Sequence, residues 1–388
     1  MRLSLFTTLF CLAFSHAGHY KDIYDIWSFD LGQDTFTDWM STMEDTVFLS
    51  QLAIPGTHNS MTDRIEDSRL QTQNVPLFEQ LRGGIRYIDI SCRCIDNHIM
   101  VYNEAVDTGY SLDDVLTTIY NFLDEHSRET IILRIQNGGI SDDSKSFLGC
   151  IERYFVPGTK LGDRADQYIY SRNADNSIPI LGHVRGKVLI LQDFKSSPPG
   201  RYGIPWGSRS VSSYNRWFPS GVLWLGLKWA GVKANLNRAP SQYHNKLRIT
   251  HTTASAGVSP IIIAAKEGDD FGMNRRLGRY IMTEEGNCQG VVVMDFPGNH
   301  LIYYFMRWNA RYRVSTPDDG YPRQFGPATP DDDYPRQFGP ATPDELDHDE
   351  VDDDGEAPPD ESSDDEASDD EAGDNEARED KRAPAMFR

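Results

Sequence analysis

Leu52–Ser60 reads LAIPGTHNS: a short apolar run, a Pro-Gly break, then a histidine on the turn. The same grammar recurs down the chain. Ile85–Ile90, Ile99–Tyr102, Thr130–Ile135, Lys187–Leu191, Val222–Leu227, Leu247–Thr252 and Val291–Met294 are further short apolar or β-rich runs. Runs of this length bounded by turn residues read as buried strands. Helical patterns lie between them. Ser111–Glu125 offers Ser111 as N-cap and acid at Asp113 and Asp114. Its apolar stripe is Leu112, Val115, Leu116, Ile119, Phe122 and Leu123. Ser144–Tyr154 and Leu301–Asn309 complete the helical set. Eight strands alternating with helices or long loops predict an α/β fold, a parallel (β/α)8 barrel spanning 38–313. A doubly wound sheet is the alternative, but no GxGxxG or GxxxxGK[ST] loop follows a strand.

Outside that span the chain changes character. Its 388 residues carry 38 Lys+Arg and 59 Asp+Glu, a formal net charge of −21. Residues 344–388 hold 21 of those acids against Arg378, Lys381, Arg382 and Arg388, so −17 belongs to the tail and only −4 to the rest. A segment so acidic and so poor in apolar residues cannot offset its chain entropy, and is expected to be disordered. Before it, Thr316–Ala328 (TPDDGYPRQFGPA) and Thr329–Ala341 (TPDDDYPRQFGPA) repeat with a period of 13. Residues 314–343 read as an extended Pro-rich linker. The charge argues against nucleic acid as a partner and against net-charge steering to anionic membranes.

At the other end, Arg2 precedes the apolar run Leu3–Phe14 and the small-x-small Ser15-His16-Ala17. Residues 1–17 are expected to be a signal peptide, too short to span a bilayer, and the mature chain to be secreted. Cys92, Cys94, Cys150 and Cys288 then remain in an oxidising compartment, with three complete pairings open. Cys92 and Cys94 share one strand face and are poorly placed to bond each other.

In a barrel of this kind, chemistry sits at the C-terminal strand ends. Those positions hold His58-Asn59-Ser60, Asp89-Ile90-Ser91, Asn103-Glu104, Gln136 and Asp295. His58, on a Gly-containing turn, is the candidate base. Asp295 is the candidate carboxylate that holds its imidazole in one tautomer. Asp193 and Lys228 follow other apolar runs. His251 ends another strand, whereas His98 starts its own, at the opposite end of the barrel. Two aromatic loops, Tyr202–Gly207 and Tyr214–Pro219, suit either a membrane interface or core packing.

Several blocks together, LAIPGTHNSMT (52–62), TQNVPLFEQLRGGIRYIDISCRC (72–94), SLDDVLTTIYNFLDEHSRETIILRI (111–135), RGKVLILQDF (185–194) and GVVVMDFPG (290–298), resemble the X domain of phosphatidylinositol-specific phospholipase C, most closely the secreted bacterial type. The resemblance implies a distorted TIM barrel and a phosphoric diester hydrolase or lyase acting on a phosphoinositide-type lipid. One histidine accepts the proton of the inositol 2-hydroxyl and a second protonates the leaving diacylglycerol oxygen. It places the first at His58, its carboxylate at Asp295 and the acid of the second strand at Asp89. A monomer that touches the membrane surface transiently is expected.

The departures from the family are local. A second histidine is expected in a pattern [LIV]-x-H-G after the third strand, where Val101-Tyr102-Asn103-Glu104 stands. An Arg is expected two residues after Asp89, where Ser91 stands. Asn103, Ser91, Asn59 and Arg93 become candidate substrate-binding residues. A Ca2+-dependent variant would draw on Asn59, Asp89, Ser91 and Gln136. That set carries a single charge, so no metal or other cofactor is expected. The alternative function is a pseudoenzyme that binds an inositol phosphate or lipid headgroup without cleaving it. A glycoside hydrolase using Asp89 and Asp295 would leave the His58 block without a role.

Overall fold

A computed structural model describes residues 25–31, 36–138, 144–216, 224–244, 246–253, 258–265, 272–283 and 287–314. The signal-peptide segment, the repeat beyond Val314 and the acidic tail lie outside the described residues.

The strands are β1 (Ala53–Thr57), β2 (Tyr87–Ile95), β3 (His98–Asn103), β4 (Val106–Ser111), β5 (Thr130–Asn137), β6 (Lys187–Asp193), β7 (Ile204–Pro205), β8 (Val211–Tyr214), β9 (Leu247–His251) and β10 (Gly290–Met294). The helices are α1 (Leu77–Arg82), α2 (Leu112–Glu125), α3 (Ser144–Phe155), α4 (Lys160–Tyr168), α5 (Leu181–Val184), α6 (Leu225–Arg238), α7 (Pro260–Ala265), α8 (Met273–Met282) and α9 (Asn299–Asn309). Eight strands pair in parallel in the order β7-β6-β5-β2-β1-β10-β9-β8. Their continuous apolar runs follow from burial on both faces, inside the barrel and beneath the helices. Among the described residues β7 and β8 do not pair, so the barrel is nearly closed.

Eight was the expected count, but the membership differs. Ile99–Tyr102 belongs to β3, which runs antiparallel to β2 and forms a hairpin extension with β4. Val222–Leu227 is not a strand: Leu225 opens α6, and Val222 and Leu223 lie outside the described residues. The missing barrel members are β7 and β8, within or beside segments read as loops. β7 has two residues, too few to carry a period.

Local chemistry explains the elements. Ser111 caps α2 as expected, through a reciprocal box: its hydroxyl accepts from Asp114 N–H at 3.3 Å and Asp114 Oδ2 accepts from Ser111 N–H at 2.8 Å. The predicted stripe of α2 is buried throughout. Gly56 lies where β1 crosses Tyr87; a Cβ there would stand 2.7 Å from the ring. Cys94 on β2 is bonded to Cys150 on α3, tying barrel to helix layer, while Cys92 and Cys288 are buried thiols.

The N-terminal end of the barrel is closed by one buried ion pair. Arg86 Nε donates to Glu129 Oε2 at 2.9 Å, and both side chains are fully buried. Arg86 Nη1 also donates to the carbonyls of Leu81 (2.7 Å) and Ile85 (2.8 Å). Glu129 accepts from the backbone N–H groups of Met40 (3.2 Å) and Ser41 (2.8 Å), anchoring the 3-10 turn Trp39–Thr42. Removing one partner strands a buried charge. Glu129→Ala is therefore expected to destabilise the fold by about 3–5 kcal/mol in chemical denaturation, because Arg86 keeps its charge.

Candidate active site

The C-terminal strand ends form a mouth, and strand register decides which side chains meet there. β1 and β10 pair with Thr57 opposite Met294, so His58 and Asp295 are the next residues of adjacent strands. His58 Nδ1 lies 3.0 Å from Asp295 Oδ1, with both groups buried. The backbone around His58 is clamped. Its N–H donates to Met294 O at 3.0 Å, and its carbonyl accepts from Thr72 Oγ1 (2.9 Å) and Gln73 Nε2 (3.0 Å). Asn59 then turns at φ +40°. Asn274 steadies the other side, donating to the carbonyls of Asp295 (2.9 Å) and Phe296 (3.1 Å). Burial pushes the His58 imidazole down, but Asp295, its hydrogen bond and Asp89 outweigh that, and the net shift is upward.

A second cluster sits beside the first. Asp89 on β2 and Arg134 on β5 are register partners. Arg134 Nη1 donates to both Asp89 oxygens, at 3.0 and 3.3 Å, and Nη2 donates to Asp193 Oδ2 at 2.6 Å. The Trp206 ring covers the guanidinium at 4.0 Å. Arg134 did not figure among the candidates from sequence. Its signal is a lone charge in the run Ile131–Ile135, which when buried must find a counter-charge.

Two more basic groups enter from the β8–β9 side. His251 ends β9, fully buried, with its ring centroid 6.2 Å from that of His58. Neither of its ring nitrogens has a hydrogen-bond partner among the described residues. Burial, with the positive charge of His58, Arg134 and Lys228, holds it well below the usual histidine range, so it is neutral. Lys228 is fully buried too, but it comes from α6, a correction to its expected place at a strand end. Its Nζ donates to Arg216 O at 3.1 Å, 5.1 Å from the Tyr214 ring centroid. Burial pulls its amine down to about 7, against the opposing effect of Asp295.

The remaining candidates fall unevenly. Asn103 does reach the mouth, because β3 returns along β2 and ends there. Its Oδ1 accepts from Asn59 Nδ2 at 2.9 Å, and its Nδ2 donates to Leu70 O at 2.6 Å. Ser91 lies under the end of β5, where a Cβ on Gly138 would meet its hydroxyl at 2.1 Å. Arg93 turns to the hairpin instead: it stacks 4.6 Å over Tyr102 and donates to Glu104 O at 2.5 Å. His98 is not at the opposite end of the barrel, as expected for the start of a parallel strand: β3 is antiparallel, so His98 is exposed at the β2–β3 turn beyond the C-terminal end of β2. Of the aromatic loops, Tyr202 is buried, Trp206 covers Arg134, and Tyr214 lies against Lys228, while Trp217 and Phe218 lie outside the described residues. The four oxygen donors considered for Ca2+ do not fit it, since their one carboxylate, Asp89, has both oxygens on Arg134.

The sequence pattern described as "Phosphatidylinositol-specific phospholipase C, X domain" matches residues 51–193. A 1-phosphatidylinositol phosphodiesterase of Listeria monocytogenes is 30% identical over 298 residues, covering 71% of this chain and 86% of that relative. The chain belongs to the phosphatidylinositol-specific phospholipase C X-domain family. The solved Listeria phospholipase C superposes with a TM-score of 0.58 at 27% identity, over 70% of this chain and 97% of that one. A Staphylococcus aureus phospholipase C shares the fold, with a TM-score of 0.56 at 18% identity, over 70% and 97%. The nearly closed parallel barrel matches the fold of these relatives, which are phospholipase C-like phosphodiesterases.

Lys228 gives a pH test of this interior. Burial pulls its amine down to about 7, below the ~10.4 of a solvated lysine. Between the two, the unfolded chain holds a proton that the folded chain lacks, so stability rises with pH, by at most about 1.4 kcal/mol per unit from this group. Lys228→Met is expected to be more stable than the native chain at pH 7 and to lose that lead towards pH 9. Urea denaturation at both pH values measures it, and a lead that does not change with pH would show that this amine is not the titrating group.

Proposed function

We propose that the chain cleaves the phosphodiester of a phosphatidylinositol-type lipid, with His58 as the general base. The buried His58–Asp295 pair at 3.0 Å carries this reading. Asp295 engages Nδ1, so proton exchange with substrate falls to Nε2, and the carboxylate stabilises the imidazolium that forms. Attack of a headgroup hydroxyl on phosphorus forms a cyclic phosphodiester and breaks the bond to the diacylglycerol oxygen. Arg134 is already matched by Asp89 and Asp193, so its role is to order those carboxylates for headgroup hydroxyls. Positive charge beside the phosphate comes from protonated His58 and from the Lys228 amine, which burial pulls down and the Asp295 carboxylate helps to keep protonated.

Asn103 cannot deliver a proton to the leaving oxygen. Losing a positioned acid typically costs about 10²–10⁴-fold, so turnover is slow. His251, 6.2 Å from His58, brings a second imidazole by a different route from β3, but in neutral form it has no acidic proton to give, so the proton that reaches the leaving oxygen is the one His58 took from the headgroup hydroxyl or comes from water. A second reading, headgroup binding without turnover, draws on the same residue: the Asn103 amide is spent on Asn59 and Leu70. The apolar run Leu3–Phe14 and the Cys94–Cys150 bond support secretion.

Inositol phosphate release from phosphatidylinositol vesicles tests the proposal. His58→Ala is expected to lower the rate by about 10³-fold, and Asn103→His to raise it by about 10–100-fold. Equal rates for the native chain and His58→Ala would end the catalytic reading. Headgroup binding without release would establish the second.

A further inference from the structure

Asp295 opens a bend that runs to Gly298, and the N-terminal segment 25–31 lies against that bend residue by residue. Ser28 pairs with Pro297 in an antiparallel bridge. Phe29 N–H donates to Phe296 O at 3.2 Å, and Gly298 N–H donates to Trp27 O at 2.9 Å. Asp30 Oδ1 accepts from Asn299 N–H at 2.7 Å and so caps α9 from outside. Gly298, the N-cap residue of α9, has no side chain for that task; a Cβ there would stand 2.6 Å from both Asp30 Oδ1 and Ser28 N. Gly278 on α8 leaves room in the same way, since a Cβ there would stand 2.1 Å from the Trp27 ring. Two glycines on two elements thus make the space that the segment fills.

The contacts run inward to the His58–Asp295 pair. Asn274, fully buried on α8, donates from Nδ2 to Ser28 Oγ (3.0 Å), Asp295 O (2.9 Å) and Phe296 O (3.1 Å). Its Oδ1 has no partner among the described residues. A buried amide that leaves its acceptor unpaired is there for its donors. On the other arm, Asn74 Nδ2 donates to Phe29 O at 3.0 Å. Nearby, Thr72 O accepts from Phe296 N–H at 2.9 Å, and the Thr72 hydroxyl donates to His58 O. The segment therefore touches both arms that carry the pair. Phe29 and Phe296 stand at φ +76° and +45°, a left-handed conformation that bulky residues adopt only where their surroundings impose it. Core filling needs the buried Trp27 and Leu31 alone. It does not need two left-handed phenylalanines or an amide with an idle carbonyl.

We propose that residues 25–31 are a strap that sets the position of Asp295 against His58, with Ser28 and Asn274 as positioning residues of the reaction. The inference rests on the general-base role proposed above and names what keeps that base in register with its carboxylate. The titratable and charged groups that face His58 are Asp295 after β10, Asp89 on β2, Arg134 on β5 and His251 on β9, and Lys228 on α6 faces Asp295. Of these, the strap reaches Asp295 alone, through Asn274. Burial pushes the His58 imidazole down, and Asp295, with its hydrogen bond, is the main opposing influence. A released strap lets Asp295 drift and weakens that support, so His58 then titrates at lower pH.

Two variants of the full chain break the strap at different points. Asn274→Ala removes the donors at Asp295, whereas Trp27→Ala with Asp30→Ala releases the strap and leaves Asn274 in place. The His58 imidazole, followed by NMR and assigned with His58→Ala, is expected to titrate at lower pH in both than in the native chain. The exposed His98 is expected to titrate as in the native chain, which reports that the variants fold. With phosphatidylinositol vesicles, kcat is expected to fall about ten- to hundred-fold with KM little changed, because the strap does not touch substrate. The acid limb of the pH–rate profile is expected to move down with His58. A native His58 midpoint in either variant that folds overturns the proposal. So does unfolding of both, which would make segment 25–31 a requirement of the fold and not of the site. If the native chain does not cleave the lipid, the catalytic reading fails, while the His58 titration still decides the strap.

Discussion

A guanidinium inside a barrel has to be matched by negative charge, and Arg134 is matched twice, by Asp89 and by Asp193. That three-residue interaction spans β2, β5 and β6, adjacent strands on one side of the mouth. It places two carboxylates in a pocket that desolvation alone would disfavour. It also sets the balance of the neighbouring histidine, since Asp89 adds to the field that Asp295 exerts on His58. The Trp206 ring over the guanidinium keeps water from one face and so strengthens the pairing. What reads as an active site is, physically, two sets of matched charges, Arg134 with Asp89 and Asp193 and His58 with Asp295, beside two basic groups, Lys228 and His251, whose charged forms burial disfavours.

Much of the fold was legible because its strands are locally self-declaring. Runs such as Val291–Met294 and Thr130–Ile135 have no amphipathic alternation, and doubly buried strands need none. Ser111 and Asp114 announced the start of α2 through hydrogen-bonding chemistry local to four residues. The failures are tertiary. β7 is a strand only because β6 supplies the edge for its two residues. Ile99–Tyr102 is as apolar as a barrel strand, and nothing within it states that it turns back along β2. Val222–Leu227 combines β-rich residues with a helix start, and composition cannot separate the two.

The site was legible to the extent that it follows strand ends in register. His58 and Asp295 are 237 positions apart in sequence and become neighbours through one parallel ladder. Asp89 was visible for the same reason, Arg134 less so, because its side chain matters through a partner on another strand. His251 follows the same strand-end rule and turns inward there, whereas Lys228 arrives from a helix, which no rule about strand ends foretells. Asn103 was found by its place in a family pattern, and the route it takes, down the returning arm of a hairpin, is a matter of topology.

The unpaired edge between β7 and β8 changes the mechanics of the barrel. A ring of hydrogen-bonded strands has a diameter set by strand number and shear, and it widens only by breaking ladder bonds. A split ring does not have that restriction: it flexes like a clasp, and its bore adjusts by bending the sheet while every existing ladder stays intact. Here the split lies beside Trp206, Tyr214 and Lys228, on the opposite side of the ring from the stiff β1–β10 pairing that carries His58 and Asp295. The protein thus sets a side of the ring tied by the β1–β10 ladder, which holds the His58–Asp295 geometry, against a side where, among the described residues, no ladder joins β7 to β8.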